Sequence, residues 1–380
     1  MVGLDRFKEF ADLFPYTIPY FMFVILIFFI LYTKKFVKHS LLFDSLIIIL
    51  FIIFAGLKEP FTYDLRNYCY MYHNKDILSI TWIEPFMIFS VHLLNTITSN
   101  CLALFIWYQF LTVLFITLSI NKIFKSQVDK QIWAWFVYIS LPFLFLNSFG
   151  VEIRQVLALS IFLYGTTFLY VENSLKKYLI FSILASLAHY SAILGSLFLL
   201  IAYSFLKLLN PKIVTLILLL LLPFGLLFSN FFLSLLSTVL SLSVNIFPFL
   251  NKYQNYLVNP ETTPLIKSLI YLLIPTILGL ISMKAQDDAV KMSVNLTLIG
   301  TLFLLVFRDF APASRIAYYF LIMQVIIFPN LIKIIKPRFF VGWILALFLS
   351  LQFLYGLYYI TPNGNFAFLP YKGLILEVFK

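Results

Sequence analysis

Long apolar stretches recur along the whole chain with no polar segment between them large enough to form a soluble domain. A helix needs about 20 such residues to cross a hydrocarbon core of roughly 30 Å. The stretches fall at 17–33, 41–57, 101–120, 131–147, 155–171, 178–206, 213–229, 231–250, 265–283, 292–307, 316–332 and 339–359. A chain of 380 residues that is 62% hydrophobic and 11% charged cannot cover such runs with a polar shell. The expected fold is therefore all-α, a single polytopic transmembrane domain over 1–380 with about 12 membrane helices, and a soluble enzyme is excluded. Segment 86–97 is too short to cross and is expected to dip into, or lie on, the outer leaflet.

The first run is not expected to be a cleaved signal peptide. Asp5, Arg6, Lys8, Glu9 and Asp12 precede it, and Lys34-Lys35 follows where a small-residue cleavage site would stand. Cys69 and Cys101 have neither a metal-ligand spacing nor a redox-motif spacing, and no chemistry is assigned to them. The chain has no P-loop, no glycine-rich dinucleotide turn, no His-Glu-x-x-His and no DxD-spaced acidic pair in an outer loop.

Cytoplasmic loops of membrane proteins are enriched in Lys and Arg, and alternate connections here carry that charge. Lys34, Lys35 and Lys38; Lys122, Lys125 and Lys130; Lys176 and Lys177; Lys284 and Lys291; and Lys333, Lys336 and Arg338 are placed inside. The outer side then receives the N-terminus, residues 58–100, the Glu152 turn, the Arg308–Arg315 loop and the C-terminal tail. The net charge of +11 is accounted for by this topology, so no nucleic-acid partner is implied. Run 178–206 leaves two arrangements open. Either it turns back near His189, which puts Lys207 and Lys212 inside, or it crosses once and they face out.

The choice of cation differs between the two sides. Counting Lys207 and Lys212 as inside, 14 of the 15 inner basic residues are lysine, whereas Arg6, Arg66, Arg154, Arg308 and Arg315 all fall outside. A planar guanidinium binds carboxylate or phosphate in bidentate fashion, which an ammonium cannot do. An anionic, phosphate-bearing ligand on the outer side follows.

Several outer residues are candidates for chemistry. Asp64, Tyr68 and Tyr72 can share a helix face, giving either a wall for a sugar ring or an interfacial aromatic belt. Glu84 precedes Pro85 and reads either as a helix cap or as a catalytic acid. Glu152 either neutralises Arg154 or serves the reaction, and an arginine entering a membrane helix faces a polar cavity or a partner. His189, deep in an apolar stretch, reads as an interhelical hydrogen bond or as a proton-transfer group. Arg308 and Arg315 flank one outer loop in which Asp309 can pair with only part of their charge, an arrangement suited to clamping a diphosphate.

Taken in order, these residues make the chain resemble the EpsG-like branch of the Wzy-type bacterial polysaccharide polymerases. The likeness rests on Asp64 with Tyr68 and Tyr72, Glu84-Pro85, the Arg-Gln-x-x-Ala-x-Ser start at Arg154, His189-Tyr-Ser-Ala192, Arg315 followed by Tyr318-Tyr-Phe320, and Pro370-Tyr371. Arg154 and Gly165 also stand in the Arg-x10-Gly spacing of some such polymerases, though it occurs here only once. The resemblance implies a GT-C-like membrane glycosyltransferase in the bacterial cytoplasmic membrane, active on its outer or periplasmic face. It would move a growing chain from its undecaprenyl diphosphate onto the next lipid-linked repeat unit, building O-antigen, capsule or exopolysaccharide. No metal or other cofactor is expected, and a chain-length regulator is a candidate protein partner. Arg154 and Arg315 would hold diphosphate with support from Arg66 and Arg308, and Tyr68, Tyr72 and Tyr318 would line the substrate. Asp64 stands first as base or acceptor-positioning group, with Glu84, Glu152 and His189 behind it. A lipid-linked oligosaccharide flippase and an O-antigen-ligase-like enzyme are the rival readings.

Overall fold

A computed structural model of the chain describes residues 14–37, 40–56, 62–80, 83–206, 210, 212–217, 219–220, 229–244, 288–307, 311–334, 338–358 and 368. The regular elements among the described residues are all helical. They are α1 (Ile18–Lys34), α2 (Ser40–Gly56), α3 (Tyr63–His73), α4 (Asp76–Ile80), α5 (Pro85–Asn95), α6 (Leu102–Phe124), α7 (Val128–Ser140), α8 (Phe145–Gly150), α9 (Ile153–Glu172), α10 (Leu175–Ala188), α11 (Ser191–Leu206), α12 (Ser229–Val244), α13 (Asp288–Val306), α14 (Ala311–Leu321), α15 (Gln324–Ile334) and α16 (Arg338–Leu357), after a 3₁₀ turn at Phe14–Thr17. Among the described residues, four stretches are long and apolar enough to cross a membrane, Leu102–Phe124, Ile153–Glu172, Ser314–Ile332 and Phe340–Leu357, beside shorter apolar helices such as Ile18–Lys34 and Ser191–Tyr203.

The chain divides into two compact units. The first comprises Met1–Thr167, Leu187–His189 and Gly342–Lys380; the second comprises Phe168–Ser186 and Tyr190–Val341. In the first unit α6 packs on α2, α5, α7 and α8, and α1 packs on α2 and α7. α1 is apolar on both faces: Tyr20, Phe23, Ile27 and Leu31 are buried, whereas Met22, Ile25, Phe29 and Tyr32 stand exposed at helical spacing. An exposed apolar stripe of that kind is stable against lipid, not water. α9 is buried continuously from Gln155 to Leu163, as expected of a helix enclosed on all sides.

The loop between α1 and α2 is closed by a buried ion pair. Lys34 Nζ lies 2.6 Å from Asp44 Oδ1, and Asn121 on α6 donates to Asp44 Oδ2 at 2.8 Å. In the second unit α13 packs on α11, α12, α14 and α15.

Several expected runs are interrupted. Run 131–147 breaks into α7 and α8 at residues 141–144, where Pro142 stands. Run 316–332 passes through a turn at 322–323 between α14 and α15. Run 178–206 turns back on itself. Tyr178 Oη donates to Ser196 O at 3.0 Å although a straight helix would hold those positions about 27 Å apart. Tyr203 Oη donates to Asn173 Oδ1 at 2.9 Å, which closes the base of the same hairpin. The turn is the His189–Tyr190 step between α10 and α11. Segment 86–97 forms the short α5, and run 265–283 lies outside the described residues.

Candidate active site

The site begins with α3, a short helix whose sequence specifies its own start. Thr62 is extended, and its hydroxyl accepts from the Leu65 N–H as an N-cap. The same hydroxyl donates to the Gly150 carbonyl at 2.5 Å, tying the start of α3 to the end of α8. Leu65, Tyr68 and Tyr72 form the buried face of α3. Tyr72 Oη donates to Thr98 O at 2.8 Å and Asn95 Nδ2 donates to Tyr72 O at 3.0 Å. A disulfide joins Cys69 on α3 to Cys101 at the start of α6. α3 is thus held from behind at three successive turns.

Glu84 is extended, and its carbonyl accepts the first helical hydrogen bonds of α5, from Met87 N–H at 2.9 Å and Ile88 N–H at 3.3 Å. Its carboxylate makes no cap bond to that helix. The side chain turns instead to Arg154 in the first turn of α9, where Nη1 pairs with Oε2. Glu84 is buried, and a buried charge of this kind is stable only when paired. Arg154 Nε donates to Tyr68 Oη at 3.3 Å, and the guanidinium stands 5.2 Å from the centroid of the Tyr68 ring, within cation–π range. Burial pushes the Tyr68 phenol above its ordinary range, against the opposing pull of the Arg154 charge, with Asp64 adding to the rise. Tyr68 therefore stays neutral and accepts from the guanidinium. The other carboxylate oxygen of Glu84 lies 3.8 Å from His189 Nε2 at the hairpin turn.

Four residues from four separate stretches of the first unit thus meet: an aromatic hydroxyl, a carboxylate, a guanidinium and an imidazole. Tyr108 on α6 walls the group, with its ring 5.7 Å from Phe86 and its hydroxyl 3.5 Å from Met87 Sδ. The set combines a fixed cation with two proton-accepting groups in a site largely withdrawn from solvent, the components needed to stabilise a leaving anion while taking up a proton.

The remaining expected residues are placed as follows. Asp64 is half-buried one turn before Tyr68, near enough for its charge to act on that phenol. Arg66 is exposed on the opposite side of α3. Both tyrosines expected to wall a sugar are buried, Tyr72 completely, with its hydroxyl engaged by backbone. The ion pair of Arg154 is with Glu84, while Glu152 accepts from Asn147 Nδ2 at 2.9 Å.

Arg315 and Tyr318 lie on α14 in the second unit. There the neighbouring Tyr319 Oη is 3.1 Å from Ser191 Oγ, and its ring crosses Gly195 so closely that a Cβ there would come within 2.5 Å. Arg315 is one turn before Tyr319 on α14. Arg308 lies outside the described residues. Among the described residues, no three His, Cys, Asp or Glu side chains come together as a metal site.

The feature missed in the sequence is the disulfide. Its signal was that both cysteines fall on the side assigned as outer, where paired thiols oxidise. No curated protein and no solved structure matches the chain. Residues 41–373, a span that includes Asp64, Glu84, Arg154 and His189, match the EpsG family, and the chain belongs to that family.

Proposed function

We propose that this protein polymerises lipid-diphosphate-linked oligosaccharide repeat units on the outer side of a bacterial cytoplasmic membrane. Family membership supports a polysaccharide-polymerase-like role in general, and the membrane-spanning helices support a multi-pass protein. The observation that carries the reading is the guanidinium of Arg154, held by buried Glu84 and Tyr68 beside His189. The full architecture of this reading is about 12 crossings in a GT-C-like arrangement. The outer placement is supported by the Cys69–Cys101 disulfide, since such bonds persist in oxidising compartments and are rare in the cytosol.

In this mechanism a hydroxyl of the acceptor repeat unit attacks the anomeric carbon of the donor glycan. The new glycosidic C–O bond forms as the bond to the lipid diphosphate breaks, and the diphosphate leaves with the electron pair. Arg154 stabilises the charge gathering on the leaving oxygens, assisted by the positive N-terminal end of α9. His189 takes the hydroxyl proton, and Glu84 balances the imidazolium that results. Asp64 positions the acceptor, with Glu152 and Tyr72 holding the surrounding turns. Arg66 on the first unit, and Arg308 and Arg315 with Tyr318 on the second, are each assigned a contact to anionic substrate by their residue type and outer assignment alone. The lipid-linked glycan is both donor and acceptor, in the undecaprenyl diphosphate class.

The test uses the host bacterium. Deleting the gene should leave single lipid-linked repeat units and no polymer; the wild-type gene should restore polymer, and Arg154→Ala at normal membrane level should not. Polymer restored by Arg154→Ala would remove the proposed reaction centre.

A further inference from the structure

We propose that the outward face of α3, formed by Tyr63, Arg66, Tyr70 and His73, binds the growing polysaccharide chain at a subsite separate from the Glu84–Arg154 cluster. This rests on the polymerase reading. α3 divides its aromatic residues by helical position. Tyr68 and Tyr72 point into the protein, while Tyr63 and Tyr70, two turns apart on the other side, are 77% and 60% exposed. Arg66 and His73 are exposed with them, so the face offers two ring faces and two hydrogen-bonding groups. Sugars ask for that pairing, because a pyranose presents an apolar C–H face and a rim of hydroxyls.

Lipid is a poor match for the same face. The exposed stripe of α16 is apolar at Phe340, Trp343, Ile344 and Leu347, and that of α1 at Met22, Ile25 and Phe29. The α3 face instead carries Arg66 and His73 and runs into exposed Asn74, Lys75 and Asp76. Its rings are also presented on a fixed support. The Thr62–Gly150 bond, the Tyr72–Thr98 bond and the disulfide hold the helix from its buried side, so little ordering is needed when a ligand binds. Tyr63 and Tyr70 are separated by about 10 Å along the axis, a distance comparable to a disaccharide. The opposite face of the same helix places Tyr68 against Arg154, so a chain lying on α3 is one helix diameter from the reaction centre.

A polymerase that holds its chain between additions makes long products, and one that lets go makes short ones. The test replaces the chromosomal gene with Tyr63→Leu/Tyr70→Leu or Tyr63→Phe/Tyr70→Phe and reads the size distribution of the surface polysaccharide. Membrane level and the Cys69–Cys101 bond, seen as a mobility shift on reduction, report folding. The leucine pair should shift the product to chains several-fold shorter while polymer is still made, and the phenylalanine pair, which keeps the rings, should retain near wild-type length. A wild-type distribution from the leucine pair overturns the proposal. So does a phenylalanine pair as short as the leucine pair, or complete loss of polymer from a folded leucine pair. If the wild-type gene itself restores no polymer, the polymerase reading fails and this inference falls with it.

Discussion

Arg154 holds a charge where burial is costly, and its neighbours specify guanidinium over ammonium. One nitrogen pairs with Glu84, Nε donates to Tyr68, and the plane of the group lies near the Tyr68 ring. Arg154→Lys keeps the charge but loses the fork, and polymerisation should fall at least about tenfold. Arg154→Ala should lower it by about 100-fold or more, the scale of removing a group that stabilises developing negative charge. It also leaves Glu84 buried without that partner, at about 3–5 kcal/mol in stability. The double variant Glu84→Leu/Arg154→Met, with no buried charge to strand, should recover much of that stability in a thermal melt while making no polymer. Tyr68→Phe keeps the ring and loses one hydrogen bond worth about 1 kcal/mol, so activity should fall only a few-fold. Each of Asp64, Glu84, Arg154 and His189 stood out in the sequence alone. Their pairing did not, because Glu84 and Arg154 are 70 positions apart, and a Glu-Pro step reads locally as a cap.

The elements that carry these residues depend on two devices, the disulfide behind α3 and the α10–α11 hairpin. The cysteines are 32 positions apart, a loop whose closure restricts the unfolded chain by about 3–4 kcal/mol. Cys69→Ser/Cys101→Ser should therefore lower the melting temperature and reduce polymerisation, without the abolition expected of Arg154→Ala. The hairpin predicts topology as well as stability. Lys177 stands in the first turn of α10 and Lys212 follows the end of α11 by six positions, so Lys177→Cys and Lys212→Cys should label with a membrane-impermeant thiol reagent from the cytoplasmic side only. Labelling of Lys212→Cys from outside would mean a single crossing. Gly195→Leu should destabilise the second unit, because Tyr319 occupies the space a side chain needs. Hydropathy alone could not separate a hairpin from one long crossing, since both are uniformly apolar; the Tyr178–Ser196 bond is a tertiary fact with no local pattern.

At the scale of the molecule, class was the most legible property. Apolar runs too numerous to be covered demand lipid, and α1 and α16 do present apolar stripes outward. The breaks were less legible. Turns at 141–144 and 322–323 interrupt stretches with no loss of hydrophobicity. In the proposed reaction this fold uses one lipid-linked glycan as donor and acceptor at the Glu84–Arg154–His189 centre. The most direct measurement supplies purified protein in nanodiscs with only the lipid-diphosphate repeat unit from its own host and resolves the products on a gel. Wild type should give a ladder of repeat-unit multiples and Arg154→Ala none. An absent wild-type ladder, together with passage of the same glycolipid across proteoliposomes, would contradict the proposed reaction and make the site part of a transport path.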